Sequence, residues 1–184
     1  METSERYNKL HKIASDLLQV IDEDPNRPGV RDTPRRVAKY WQEFIEYDPG
    51  TVSTVFEAVR LDQMVVVSNI RVWSLCEHHL LPFWCDISVG YITRDHVIGV
   101  SKIPRICQKY AHRLQLQERL VDDIATEIST ITKSPNVAVV GRGVHTCMVM
   151  RGVKSDGVMV SSVMRGEFKH HHEARMEFLE LIKC

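Results

Sequence analysis

The chain has 184 residues, 43% hydrophobic and 26% charged, with 24 basic residues balanced by 24 acidic ones. Such a length gives one ordinary domain with room for a small attachment, and the composition excludes a disordered or fibrous chain. Zero formal net charge excludes a global field for nucleic acid, so an anionic ligand needs a local basic pocket.

Leu10, Ile13, Ala14, Leu17, Leu18 and Ile21 recur at helical spacing and predict a first amphipathic helix. DEDPNRPG breaks it with two prolines and a glycine. A second helix is expected from Thr33, with Thr33 as N-cap, Pro34 at the first helical position and an apolar face of Val37, Tyr40, Trp41, Phe44 and Ile45. YDPG at 47–50 ends it. From about residue 62 the pattern turns to strands: MVVVSNIRVW, then DISVGYI at 86–92, then the short VIGV at 97–100. SKIPRICQKYAHR reads as a helix capped by Ser101, and residues 115–133 as a long helix with Leu120, Ile124, Ile128 and Ile131 on one face. Residues 136–152 and 158–168 read as two further strands, and ARMEFLELI at 174–182 as a closing helix. There is no internal repeat. The internal run His170–His172 reads as a solvated turn rather than a metal site.

No apolar run approaches a membrane span, and the opening METSERYNKLHK lacks a secretory signal's apolar segment. The expectation is a cytoplasmic protein with no membrane or nucleic-acid partner. Five cysteines, Cys76, Cys85, Cys107, Cys147 and Cys184, are an odd number. That speaks for metal binding or packing rather than a disulfide framework.

Cys76-Glu77-His78-His79 is the densest chemical cluster. A Cys and a His three apart can reach one ion from a tight turn, but two ligands hold zinc poorly. Cys147 supplies a third candidate. On a strand, His145, Cys147, Val149 and Arg151 would share one face, combining a ligand, an acid and a cation. Three ligands and an open position describe a catalytic zinc. A structural zinc would need a fourth ligand such as Cys85 or His78. The plainer reading makes Cys147 a small buried hydrophobe and the two histidines surface residues. Cys85, Cys107 and Cys184 are read as packing.

Ser101-Lys102-Ile103-Pro104-Arg105 opens a helix, where free N–H groups and the positive dipole end favour anions. Lys102 and Arg105 would suit a polyphosphate, or form a solvated basic first turn. Gln117-Glu118-Arg119 opens the next helix. A carboxylate there can accept from N1–H and the exocyclic amine of guanine, a pair adenine does not offer, or can simply complement the dipole.

RPGVRDTPRRVAKYW at 27–41, CEHHLLPF at 76–83, VIGVSKIPRI at 97–106, RLQLQERL at 113–120, HTCMVMRGV at 145–153 and ARMEFLELI occur in one order along the chain. In these motifs, over nearly its whole length, the sequence resembles GTP cyclohydrolase I. The resemblance implies an α+β tunnelling fold, an antiparallel sheet with two helices on one face, preceded by an N-terminal helical pair. It implies a helical assembly segment over 1–60 and a catalytic domain over 61–184. It implies a homodecamer of two pentamers with active sites at subunit interfaces. The implied reaction takes GTP and water to 7,8-dihydroneopterin triphosphate and formate through opening of the guanine ring at C8, the entry step to pterin, folate and some deazapurine pathways.

The resemblance carries one zinc ion per subunit onto Cys76, His79 and Cys147, and catalytic roles onto His145 and His78. It carries guanine reading onto Gln117 and Glu118, and ribose and triphosphate contacts onto Ser101, Lys102, Arg105 and Arg151. The sequence departs from the family at Asp86, where a lysine is expected, and at Arg142, where an acid is expected. A swapped Asp86–Arg142 salt bridge would reconcile the two. Met159 and Val160 stand where relatives often carry a small hydroxyl residue. Three alternatives remain: a zinc nucleobase deaminase, whose H-x-E and P-C-x-x-C motifs do not occur here; a non-catalytic zinc-stabilised binding module; and a relative that stops at the ring-opened, formate-releasing stage.

Overall fold

The computed structural model describes residues 3–59 and 61–183. Its helices are α1 (Thr3–Ile21), α2 (Thr33–Ile45), α3 (Lys102–Ala111), α4 (Gln117–Thr132), α5 (Thr146–Val149), α6 (Glu167–His170) and α7 (His172–Leu181). Its strands are β1 (Val55–Glu57), β2 (Met64–Cys76), β3 (Pro82–Ile92), β4 (His96–Ile98), β5 (Leu114–Gln115), β6 (Val137–His145) and β7 (Met159–Met164). The chain forms two compact units, one up to Tyr47 and one from Asp48 onward.

In the first unit α1 and α2 pack as a pair, with Ala14, Leu18, Pro34 and Ala38 buried. The apolar stripe of α1 is therefore divided. Ile13, Leu17 and Ile21, expected on the packed face, are exposed. The N-cap of α2 is Asp32 rather than Thr33: its carbonyl accepts the first helical bond, from the Arg36 N–H at 3.2 Å. Pro34 follows in the first turn, where no intrahelical N–H is required of it.

The second unit is α+β. Its five-stranded sheet has the order β5-β2-β3-β6-β7, antiparallel except for the short parallel pair β5–β2, and β1 pairs with β4 in a separate two-stranded ribbon. Strand alternation sorts the side chains between two faces. Phe83, Cys85, Ile87, Val89 and Tyr91 of β3 join Ile103, Ile106, Leu120, Ile124 and Ile128 in the main core, so α3 and α4 cover one face. Ile92, Ala138 and Val140 point the other way and meet Phe168 of α6 and Phe178 of α7. Cys85 and Cys107 are fully buried in the main core, and burial pushes the Cys85 thiol up to about 12; both are packing residues, while Cys184 lies outside the described residues. The run read as a solvated turn is instead a helix junction: His170 ends α6, His172 opens α7, and the exposed His171 between them lies 3.1 Å from Glu167.

Further expectations need correction. The strand drawn over 158–168 ends at Met164, and Glu167–His170 is helical. The long strand drawn over 136–152 ends at His145, and Thr146–Val149 forms a helical turn. The Thr146 hydroxyl donates to Pro82 O at 2.5 Å, which ties the chain to the start of β3 and turns it out of the sheet. His145, Cys147, Val149 and Arg151 therefore do not share a strand face. The helix drawn from 115 begins at Gln117, because Leu114 and Gln115 pair with the end of β2. Finally, Asp86 binds Arg71 of β2 and not Arg142. The Arg71 Nε–H donates to Asp86 Oδ1, and Nη2 donates to Oδ2 at 2.9 Å.

Candidate functional site

The site forms where β2 ends. The Cys76 carbonyl accepts from the Leu80 N–H at 2.9 Å and from the His79 N–H at 3.3 Å, while the Cys76 N–H donates to Leu81 O at 2.9 Å. This closes a tight turn, with Leu80 in the left-handed region at φ 54°. The turn brings the His79 ring back over Cys76, whose Sγ lies 3.6 Å from Nδ1. Cys147 reaches the same point from the first turn of α5. The ligand atoms of Cys76, His79 and Cys147 all lie within 4.8 Å of one another.

The donor chemistry fits zinc. Zn–S of about 2.3 Å and Zn–N of about 2.05 Å at a tetrahedral angle place S and N about 3.6 Å apart, which is the separation found. Two soft thiols and an imidazole favour zinc among common divalent ions. Burial, followed by the facing Cys76, pushes the Cys147 thiol up, while Arg151 opposes that shift. A cation between the two sulfurs would reverse the cost of ionising them. Among the described residues the group has three members, not four; Cys85 is in the core and His78 is beside the group.

A cavity of about 450 Å³ opens next to this triad, lined among others by His78, His79, Gln117, Glu118 and His145. Glu118, in the first turn of α4, is exposed to it. His145, the last residue of β6, is held on two sides. Phe83 stacks on its ring at 4.4 Å and 9°, and its Nε2 lies 3.0 Å from Gln117 Oε1. Burial lowers the His145 pKa and the charge of Glu118 partly offsets this, so the neutral ring is favoured. His78 is exposed on the turn, edge-on to His79 at 6.1 Å.

Gln117 lines the cavity but is held by the protein. It is fully buried, and its Nε2 donates to Gly141 O at 3.1 Å, Met159 O at 3.1 Å and Ser161 Oγ at 3.0 Å. Both amide hydrogens are spent on protein acceptors, so the side chain has no donor left for a base. The contact also shows that Met159 contributes through its backbone carbonyl, whatever its side chain.

The structure does not bring the expected anion groups to this cavity. Ser101, Lys102 and Arg105 stand at the start of α3, outside the lining, and Arg105 donates to Pro49 O at 2.7 Å. Arg151 is exposed and acts on Cys147 only through its charge. Among the described lining residues none is Lys or Arg. Sequence reasoning missed a clamp across the site: Arg119 Nη1 and Nη2 donate to the two oxygens of Glu77 at 2.6 and 3.1 Å. It ties the metal turn to the first turn of α4, and it holds the Glu77 carboxyl below the usual range. The opposite charges inside CEHH and QER were the available signal, but only pairing of β5 with β2 makes those segments neighbours.

A family model described as GTP cyclohydrolase I matches residues 10–183. A protein named GTP cyclohydrolase 1 from Hyperthermus butylicus is 47% identical, covering 95% of this chain and 90% of that one. Another of that name from Sulfurihydrogenibium sp. is 46% identical, covering 95% and 94%. A third, from Methylococcus capsulatus, is 45% identical, covering 96% and 98%.

Proposed function

The chain belongs to the GTP cyclohydrolase I family of hydrolases, and from that premise we propose that it opens the guanine ring of GTP at C8 in a zinc-dependent hydrolysis. The products are formate and, after rearrangement of the ribose and reclosure, 7,8-dihydroneopterin triphosphate. This is a first step of pterin and folate, or deazapurine, biosynthesis. The observation that carries the reading is the Cys76, His79 and Cys147 triad at the edge of a cavity that also holds His145 and Glu118.

Cys76, His79 and Cys147 would hold the zinc. When bound there, the ion would supply Lewis-acid chemistry near neutral pH. Glu118 reads the base, its carboxylate accepting from N1–H and the exocyclic amine. His145 handles the proton on the imidazole side of the base, in a pocket that keeps its ring neutral and able to accept. His78, exposed on the metal turn, exchanges protons with solvent in the later steps.

Ser101, Lys102, Arg105 and Arg151 meet the ribose and triphosphate. A triphosphate needs cations, and none of the described lining residues is one. We therefore place Ser101, Lys102 and Arg105 on the triphosphate of a neighbouring copy, in a tunnelling-fold homo-oligomer with sites at subunit interfaces, a decamer of two pentamers. No described helix is long and apolar enough to cross a membrane, and the free thiols suit a reducing cytoplasm.

The test is to incubate zinc-loaded protein with GTP, oxidise the product, and measure pterin fluorescence and formate in parallel. Formate and pterin in equal amounts are expected. Formate alone would mean that the reaction stops at the ring-opened stage, and neither product would refute the proposal.

A further inference from the structure

The Gln117 amide has only one orientation that fits its surroundings. Gly141 O and Met159 O are carbonyls and can only accept, so the nitrogen must face them. Ser161 Oγ takes a share of the same donor. Oε1 is thereby turned toward His145 and can only accept, so the 3.0 Å contact is a donation from the His145 Nε2–H. Nε2 therefore holds a proton committed to Gln117, and Nδ1 is the ring nitrogen left to exchange one. Phe83 stacked at 4.4 Å fixes the plane in which that nitrogen lies.

The backbone is built to allow this. A Cβ on Gly143 would collide with Gln117 Oε1 and would lie 2.9 Å from Trp84 O. Only glycine lets α4 press the amide so close to β6. Three strand-borne acceptors, one aromatic face and one glycine thus converge on the setting of a single imidazole.

We propose that Gln117 is a positioning residue, which holds the His145 ring so that Nδ1 is the nitrogen that exchanges a proton with the substrate, and that it does not read the base. The assignment rests on the reading of the cavity as the GTP site. Both residues line the cavity, but Gln117 is buried with its amide hydrogens committed to the protein, so the exposed Glu118 carries base recognition alone.

The experiment compares wild-type full-length protein with Gln117→Met and Gly143→Ala. Zinc-loaded protein gives kcat and KM for GTP and for inosine triphosphate, which lacks the exocyclic amine. Calorimetry on the metal-free chain gives GTP affinity, and a thermal melt monitors folding. Positioning predicts that kcat falls about a hundredfold, the low end of what general acid–base groups contribute. KM, GTP affinity and the preference for GTP over the inosine analogue should stay within about threefold. Gly143→Ala should reproduce this pattern, because its methyl displaces Oε1 without changing the amide. Loss of base preference or of GTP affinity in Gln117→Met, or an unchanged kcat, overturns the assignment. So does joint loss of binding, turnover and the cooperative melt in both variants, which would make the network merely structural. A wild-type chain that neither binds nor turns over GTP removes the functional reading itself, and this assignment with it.

Discussion

Asp86 has an arginine in register on each side, Arg71 on β2 and Arg142 on β6, and it binds only the first. The reason lies in what holds the arginine. Arg71 lays its guanidinium 4.0 Å over the Trp84 ring, two residues before Asp86 on the same strand face. The fork is thereby presented to the carboxylate with less side-chain freedom to lose. The Arg71 and Asp86 side chains are 52% and 29% exposed, so solvent screens the pair and a small favourable coupling is the value expected. Double-mutant cycles read by urea denaturation should find that value for Arg71 with Asp86 and almost none for Arg142 with Asp86. The opposite ranking would restore the swapped pair that the sequence suggested. At the site, His145→Ala should keep one zinc per chain while turnover falls about 10²–10⁴-fold, measured by metal analysis and formate release. Its ring touches Gln117 and Phe83 rather than the zinc donors, so loss of metal would show that the two functions are not separable.

Among the elements, those with a strong period were readable. Leu120, Ile124 and Ile128 are fully buried on α4, and alternation along 86–92 marks β3 as a strand, although both of its faces are buried there rather than one. What escaped were breaks decided by tertiary pairing. Nothing in HTCMVM marks a strand end at His145; the stop comes from a hydrogen bond to Pro82, 64 residues away in sequence. Strands β1 and β5 are two or three residues long and gain their identity from partners, so no local period announces them. The metal triad survived this error because its members were fixed by motif, although Cys147 reaches the triad from a helical turn and not from a strand face. Packing of α7 on the sheet was invisible for a similar reason. Phe178 lies where a side chain on Gly90 would be, with Phe178 Cδ2 2.6 Å from that Cβ position. Gly90→Ala should therefore overpack the joint and cost about 1–3 kcal/mol. A denaturant midpoint unchanged within error would mean that α7 shifts aside freely.

At the scale of the whole molecule, the proposed homo-oligomer would satisfy features left open in one chain. Ile13, Leu17, Val20 and Ile21 leave α1 with exposures of 63%, 56%, 83% and 70%, a row of large aliphatic side chains of the kind that marks an association surface. Burying such side chains is worth about 1.5–3 kcal/mol each, enough in a repeated interface to hold an assembly together against its entropic cost. The cavity independently asks for the same thing if it takes GTP as proposed, since its described lining carries Cys76, His79, Cys147 and Glu118 but no cation, while Lys102 and Arg105, the cations proposed for the triphosphate, stand outside it on α3. Sedimentation velocity on the wild type should accordingly show one species at a multiple of the 21.2 kDa chain. The double variant Leu17→Glu, Val20→Glu should sediment as smaller species, retain the zinc held by donors within one chain, and lose GTP turnover in proportion to the loss of assembly. A wild-type monomer with full turnover would break this argument, because a single chain would then have to supply the triphosphate contacts itself.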